Sequence, residues 1–324
     1  MFLTGIVLSI AASVAWPQTV TESAAPAYPT RPIRLIVPIA PGGGTDIFAR
    51  AVGQRLSEIF GQSIVVDNRP GAGGMVGIDI VAKAAPDGYT LVMTGSAHTI
   101  IPSLFSKVPY DAVKDFAPVT QAVSQPFMMG VHPSVPAKSV TDFIALAKSR
   151  PGQLNYASGG NGSGPHLAGE LLKTLTGIDM VHVPYRGGGP ALLALISGEV
   201  AMLFSSLSST LPQVKAGKVR ALAVSGAKRS PAAPELPTVA ESGVPEFEVT
   251  NWFGVLAPAK TPKAIVARLQ AEIVNGLNTP EFRTRLANDG TDIVGSTPEA
   301  FTDYLKTEIA KWAKLIKGLG LRME

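Results

Sequence analysis

Four clusters of glycine carry the strongest chemical signal in this chain. Of its 33 glycines, 14 lie at Gly42 to Gly44, at Gly71, Gly73, Gly74 and Gly77, at Gly159, Gly160, Gly162 and Gly164, and at Gly187 to Gly189. Each cluster follows a strand-like run and precedes a segment with helical spacing. A glycine-rich turn of this kind aims backbone N–H groups at one point beside a helix N-terminus, where the helix dipole also favours negative charge. The chemistry to expect is anion binding, mostly by backbone donors, assisted by the hydroxyls of Thr45, Ser96, Ser158 and Ser163. A P-loop is excluded because no cluster ends in Gly-Lys-Ser/Thr. Gly71-Ala72-Gly73 with Gly77 approaches the dinucleotide fingerprint, but Asn68-Arg69-Pro70 intervenes. Where that fingerprint wants an acidic strand end, the turn Pro86-Asp87-Gly88 stands instead.

Side chains that do covalent or metal chemistry are poorly arranged. The four histidines, His98, His132, His166 and His182, show no metal-ligand spacing, and no Gly-x-Ser-x-Gly elbow occurs. No catalytic residue, metal ligand or cofactor is expected. His98 and His166 adjoin Gly/Ser loops and are open as ligand contacts, whereas His132 and His182 read as structural. Two readings stand for Asp46, an acceptor for a ligand ammonium or hydroxyl and a cap of its own helix. Two also stand for Arg186, a bidentate partner for a carboxylate and a solvated loop cation. Trp252 reads as a hinge plug, a lid over the ligand or a core residue. An exported serine hydrolase built from Ser96 or Ser163 with His98 or His166 is the enzymatic alternative.

These loops need elements to hold them. The run Ile33 to Ile39 is a strand and Asp46 to Phe60 a helix, capped by Thr45 or Asp46. Strand, glycine loop and helix recur at Ser63 to Val66 and Met75 to Ala84, with a further strand over Tyr89 to Thr94. In the middle, a helix over Thr141 to Ser149, opened by Thr141 or Asp142, precedes a strand at Leu154 to Ala157 and a helix from Pro165 to Leu175. Val181 to Pro184, a helix at Pro190 to Ser197, Val200 to Phe204 and Ala221 to Ser225 continue the pattern. Such alternation predicts α/β architecture around a parallel sheet. Thr261-Pro262, Thr279-Pro280 and Thr297-Pro298 each place a Thr N-cap before a first-turn Pro. They open helices over about 262–277, 281–288 and 298–317, with Ser296 and Glu299 as an alternative capping box. Changes of character at Ser124-Gln125-Pro126 and Thr250-Asn251-Trp252 suggest that the chain crosses twice between two domains.

Composition removes several classes. The 324 residues are 46% hydrophobic and 16% charged, with 28 Lys+Arg against 24 Asp+Glu, a balance suited to a packed core rather than disorder. Without cysteine there are no disulfides, thiolate metal sites or Cys nucleophiles. A surplus of four charges without a basic block argues against nucleic acid as partner. Phe2 to Ala15 is apolar and stops at Trp16-Pro17, the length of a secretory signal rather than a spanning helix. Cleavage after Ala15 or Ala27 leaves a soluble, exported chain beginning near Tyr28; the segment before the apolar run lacks the usual Lys or Arg.

The motifs together resemble one family. Tyr28-Pro-Thr-Arg-Pro-Ile-Arg34, Pro41-Gly-Gly-Gly-Thr-Asp46, Val66-Asp-Asn-Arg-Pro-Gly-Ala-Gly-Gly74 and Pro86-Asp-Gly-Tyr-Thr90 occur in order. Tyr156-Ala-Ser-Gly-Gly160, His166-Leu167, His182-Val-Pro-Tyr-Arg-Gly187, Leu222-Ala-Val224, Pro237-Thr238 and Trp252 follow. On these, the chain resembles the Bug receptors, the extracytoplasmic solute-binding proteins of tripartite tricarboxylate transporters. The resemblance implies a type II periplasmic binding protein: two α/β domains, 28–125 with 251–324 and 126–250, with a ligand cleft between them. It implies that the loops Pro41 to Asp46 and Ser158 to Ser163 grip a ligand carboxylate. The candidate ligand-binding residues are Pro41, Gly43, Gly44, Thr45 and Asp46; Ala72 and Ser96; Ser158, Gly159, Gly160, Gly162, Ser163 and His166; and Tyr185, Arg186 and Ser205. The expected ligand is a di- or tricarboxylate, an aromatic carboxylate or an acidic amino acid, delivered to membrane permease subunits. A sensor partner of a membrane kinase would carry the same site. The chain departs from the family pattern at Ala194 and Ala201, where Asp is usual; both positions are away from the two gripping loops.

Overall fold

The computed structural model describes residues 28–42, 44–185, 187–288 and 290–322. The expected signal segment 1–27 and the candidates Gly43 and Arg186 lie outside the described residues. The first half runs β1 (Ile33–Val37), α1 (Gly44–Phe60), β2 (Ile64–Asn68), a single 3-10 turn (Ala72–Gly74), α2 (Met75–Ala82), β3 (Thr90–Thr94), α3 (Ala97–Leu104) and β4 (Phe116–Val131). The middle continues with α4 (Val140–Ser149), β5 (Asn155–Ser158), α5 (Gly164–Thr176), β6 (Val181–Pro184), α6 (Gly188–Ser197), β7 (Met202–Ser206), α7 (Leu207–Lys215) and β8 (Arg220–Val224). The chain closes with β9 (Thr250–Pro258), α8 (Lys263–Leu277), α9 (Pro280–Asn288), β10 (Asp292–Ile293) and α10 (Pro298–Gly318).

The strands order as β2-β1-β3-β9-β4-β7-β5-β6, with β8 and β10 also on β4. The β1–β2, β1–β3, β5–β6 and β5–β7 pairs are parallel, as the βα alternation predicts. The sheet is nevertheless mixed, because β4 and β9 run against their neighbours and against each other. They contain Ser124 to Pro126 and Thr250 to Trp252, the segments at which the sequence suggests a crossing. Ser124 faces Trp252, Gln125 faces Asn251 and Pro126 faces Thr250 in one antiparallel ladder. Beyond that point β4 leaves β9 and pairs β7 and β8 over Phe127 to Val131. The chain is continuous strand here, and Pro126 sits where one partner is exchanged for another.

Burial explains the layers. β1 is almost wholly buried, and α1 turns Phe48, Ala49, Val52 and Leu56 onto the sheet. These residues share a core with Met93, Phe253 and Val255. On the other face Trp252 and Leu256 pack with Phe301 and Leu305 of α10. A separate cluster gathers Phe127, Met129, Phe143, Tyr156 and Phe204 from the middle of the chain. Trp312, Leu315 and Ile316 of α10 belong to that second cluster. One helix therefore contributes to the cores on both sides of the crossing.

The starts of α1, α4, α8 and β7 depart from expectation, whereas α10 starts as expected; α1 begins at Gly44, which takes Thr45 and Asp46 into its first turn. Ser139, outside the expected start, caps α4 by accepting the Asp142 N–H, an arrangement that Thr141 and Asp142 themselves do not supply. Thr297 caps α10 through the Ala300 N–H, whereas Ser296 is taken by the Gln121 N–H of β4. Thr261 does not cap α8; its hydroxyl donates to the Pro258 carbonyl at 2.8 Å. The strand expected from Val200 starts at Met202.

Candidate functional site

The strand-to-helix loops after β1, β2, β3 and β5 meet at a cavity of about 490 Å³, which Gly187 to Gly189 do not line. From the first half come Ile39, Ala40 and Thr45 around the α1 start, Gly71, Gly73 and Gly74 after β2, and Thr94, Gly95 and Ser96 after β3. From the middle come Gly159, Gly160, Asn161, Gly162, Ser163 and Gly164. Ile100, Ile101 and Leu104 of α3, with Phe105, supply an apolar wall, and Asn251 of β9 reaches it at the crossing. None of the described lining residues carries a formal charge. Positive potential comes instead from the N-termini of α1, α3 and α5, whose first-turn N–H groups have no partner within their helices.

Each loop is braced from behind. Asp46 is 3% exposed and accepts the Gly42 N–H at 2.8 Å and Asn68 Nδ2 at 3.0 Å, and it pairs with Arg50 at 3.0 Å. Asn68 Nδ2 also reaches the Ile39 carbonyl, and its Oδ1 accepts from Arg50. Burial pushes the Asp46 pKa up, yet the Gly42, Arg50 and Asn68 bonds outweigh it and hold the carboxyl below its usual range. Both carboxylate oxygens are occupied within the chain. In the second loop four successive residues have positive φ, including Ala72 at 45°, a conformation that costs a residue with a Cβ. Gly162 is forced by φ +75° and by Leu104, whose Cδ2 lies 2.4 Å from where a Cβ would stand.

The loop 158–163 is the most heavily tied. Ser163 Oγ caps α5 and donates to the Gly160 carbonyl at 2.7 Å. Ser158 Oγ accepts the Gly160 N–H at 3.1 Å and lies 2.7 Å from His182 Nε2. Gly162 N–H donates to His166 Nδ1 at 3.0 Å. The two imidazoles stack at 4.1 Å, and His182 stacks in turn on Tyr156 at 4.9 Å.

The model described as the tripartite tricarboxylate transporter family receptor matches residues 48–321. The chain belongs to this family. Protein BugT of Bordetella pertussis (strain Tohama I) is 35% identical over 326 residues, 100% of each chain. An R. palustris protein solved with adipate is 38% identical with a TM-score of 0.81, covering 92% of this chain and 100% of its own. MatC from Rhodopseudomonas palustris, with bound malate, is 34% identical with a TM-score of 0.77, covering 89% and 100%. The fold is that of a type II periplasmic binding protein, two α/β domains with a ligand cleft between them.

In this receptor the candidate residues divide by position. Thr45, Ser96, Gly159, Gly160, Gly162 and Ser163 line the cavity. Ser158, His166 and Asp46 lie behind it, holding loops. Ala72 sits between lining glycines, and the Tyr185 carbonyl abuts Gly160. Pro41 is exposed on the first loop, and Gly44 lines a smaller cavity against Phe253. Ser205 is buried and bonded to Thr210, away from the cavity wall. Sequence reasoning missed Thr94, Asn251 and the α3 wall. The turn Thr94-Gly95-Ser96 has one glycine and no cluster, and the apolar Ile100, Ile101 and Leu104 carry no signal of binding.

Among the described residues, neither Ser96 nor Ser163 makes a hydrogen bond to the ring of His98 or His166. His98 is wholly buried with Nε2 on the Ala112 carbonyl, and Ser163 bonds Gly160. Ser158 does contact His182, but Ser158 is 0% exposed and offers no approach to a substrate carbonyl. Among the described residues no helix is long and apolar enough to cross a membrane, and no cluster of three or more His, Asp or Glu suits a metal.

Proposed function

We propose that this receptor captures a small organic carboxylate in the cavity, closes its two lobes over it and delivers it to membrane permease subunits from the periplasm. The lobes are 28–125 with 251–324 and 126–250, hinged where β4 and β9 cross. The observation that carries this reading is a cavity walled by loops from both lobes, fed by three helix N-termini and free of charged side chains among its described lining. Backbone donors at helix starts suit a carboxylate without the desolvation cost of a buried partner charge. The wall of Ile100, Ile101, Leu104 and Phe105 accommodates the body of the ligand. Relatives solved with adipate and malate support the same ligand class. Di- and tricarboxylates, aromatic carboxylates and acidic amino acids fall within it.

Calorimetry and thermal shift on the purified mature chain with that panel test the reading. A ligand at a hundredfold excess over its Kd adds about 2.7 kcal/mol to stability. Gly160→Val, placed at φ +128° on the cavity wall, removes binding while the apo protein keeps its fold. A panel without response, alongside clear binding of a sugar or a cation, defeats the proposal.

A further inference from the structure

We propose that His166, stacked on His182, is the positioning residue of the ligand-gripping loop, and that it holds the loop only while its imidazole is neutral. The inference rests on the carboxylate reading for its binding consequence, but the clamp itself stands on geometry. Gly162 lines the cavity, and its N–H donates to His166 Nδ1 at 3.0 Å. That nitrogen therefore presents a lone pair and carries no proton. With Ser163 Oγ supplying the hydrogen to the Gly160 carbonyl, the Ser158 hydroxyl proton is free for His182 Nε2 at 2.7 Å. Ser158 Oγ in turn accepts the Gly160 N–H. The two rings thus fix Gly160 and Gly162, the two amides between which the loop turns toward the cavity.

Their surroundings keep them neutral. His166 is 4% exposed and its ring lies 4.1 Å from that of His182, so a charge on one opposes a charge on the other. The groups facing the pair are Glu170 and Lys173 on α5 and Tyr156 on β5. Tyr156 donates to Glu170 Oε1 at 2.6 Å, and Lys173 Nζ sits 2.9 Å from the same oxygen. Glu170 favours imidazolium and Lys173 opposes it, leaving burial as the largest influence on both rings. Protonation of His166 at Nδ1 would set two donors face to face, and Gly162 would be released from its place on the wall. His166 is accordingly a loop-setting group rather than a ligand contact.

Two variants separate the possibilities. His166→Asn offers an amide oxygen that accepts a hydrogen bond and never titrates, and His166→Leu offers no acceptor. In ligand-free protein at pH 7.5, hydrogen exchange read by NMR is expected to show the Gly162 amide protected in wild type and His166→Asn. In His166→Leu the same amide is expected to exchange about tenfold faster. Stepwise acidification from pH 7.5 should release it in wild type alone. Malate affinity, measured by calorimetry over the same range, should weaken in wild type by about threefold or more relative to His166→Asn. The His166→Asn profile subtracts the ligand's own protonation. Equal Gly162 protection in wild type and His166→Leu, or superimposed pH profiles of wild type and His166→Asn, overturns the proposal. A wild type that binds no carboxylate at pH 7.5 instead defeats the ligand reading, and the exchange measurement still decides the clamp.

Discussion

Thr94 is 1% exposed, lines the cavity, and its Oγ1 meets no hydrogen-bond partner among the described residues. A buried hydroxyl in that condition carries a desolvation cost without return. Thr94→Val, equal in shape, is therefore expected to leave apo stability unchanged or raise it by up to about 1 kcal/mol in urea denaturation. A loss of more than about 1 kcal/mol would mean that the hydroxyl is engaged inside the fold. Nothing in the sequence singles out Thr94, since a strand-terminal threonine has many uses and only the folded chain shows its oxygen alone. The glycine loops were legible because positive φ and close approach leave a compositional trace, as at Gly162 against Leu104. Asp46 was half legible. Its place at a helix start gave two readings, a ligand acceptor and a cap; in the structure it lies inside the first turn of α1 and ties Gly42, Arg50 and Asn68 together.

At the scale of elements, α10 carries the most weight. Phe301 and Leu305 pack with Trp252, while Trp312, Leu315 and Ile316 complete the cluster around Phe143 and Phe204. Trp312 is fully buried and its Nε1–H donates to Glu308 Oε2 at 3.0 Å. Trp312→Ala is expected to cost about 3–5 kcal/mol, the usual toll of an aromatic deletion in a core. The urea midpoint measures it, and a loss under about 1 kcal/mol would mean that the second half of α10 is undocked. The helix itself was readable from its Thr-Pro start and apolar period. Its double allegiance was not, because periodicity gives a helix an inner face but does not say which core meets it. β4 and β9 were likewise seen only as changes of character around Pro126 and Trp252. Their pairing, Phe116 to Pro126 against Thr250 to Pro258, is a long-range fact that no local pattern encodes.

Across the whole molecule, acid acts first through histidine. His98 is 0% exposed, and burial pushes its pKa down to about 4, against the Ala112 carbonyl that favours the charged form. The unfolded chain binds a proton at this site from about pH 6.5, so it holds more protons than the folded one between the two values. Stability is therefore full above pH 6.5 and declines as pH falls, by about 3 kcal/mol for His98 alone at pH 4. The depressed carboxyls of Asp46, Asp67 and Asp111 begin to subtract only below that range. Equilibrium denaturation at pH 7.5 and 4.5 should show the decline, reduced in His98→Gln; a flat profile in wild type would contradict the buried neutral ring. The placement of α10 bears on a different question, the order in which the chain becomes a protein. A polypeptide emerges N-terminus first, yet the core around Phe127 and Phe143 lacks Trp312, Leu315 and Ile316 until almost everything else has appeared. Contacts of such separation close late, and until they do the middle of the chain exposes apolar surface. The nascent molecule thus stays open, and within reach of chaperones, until residue 316 is out.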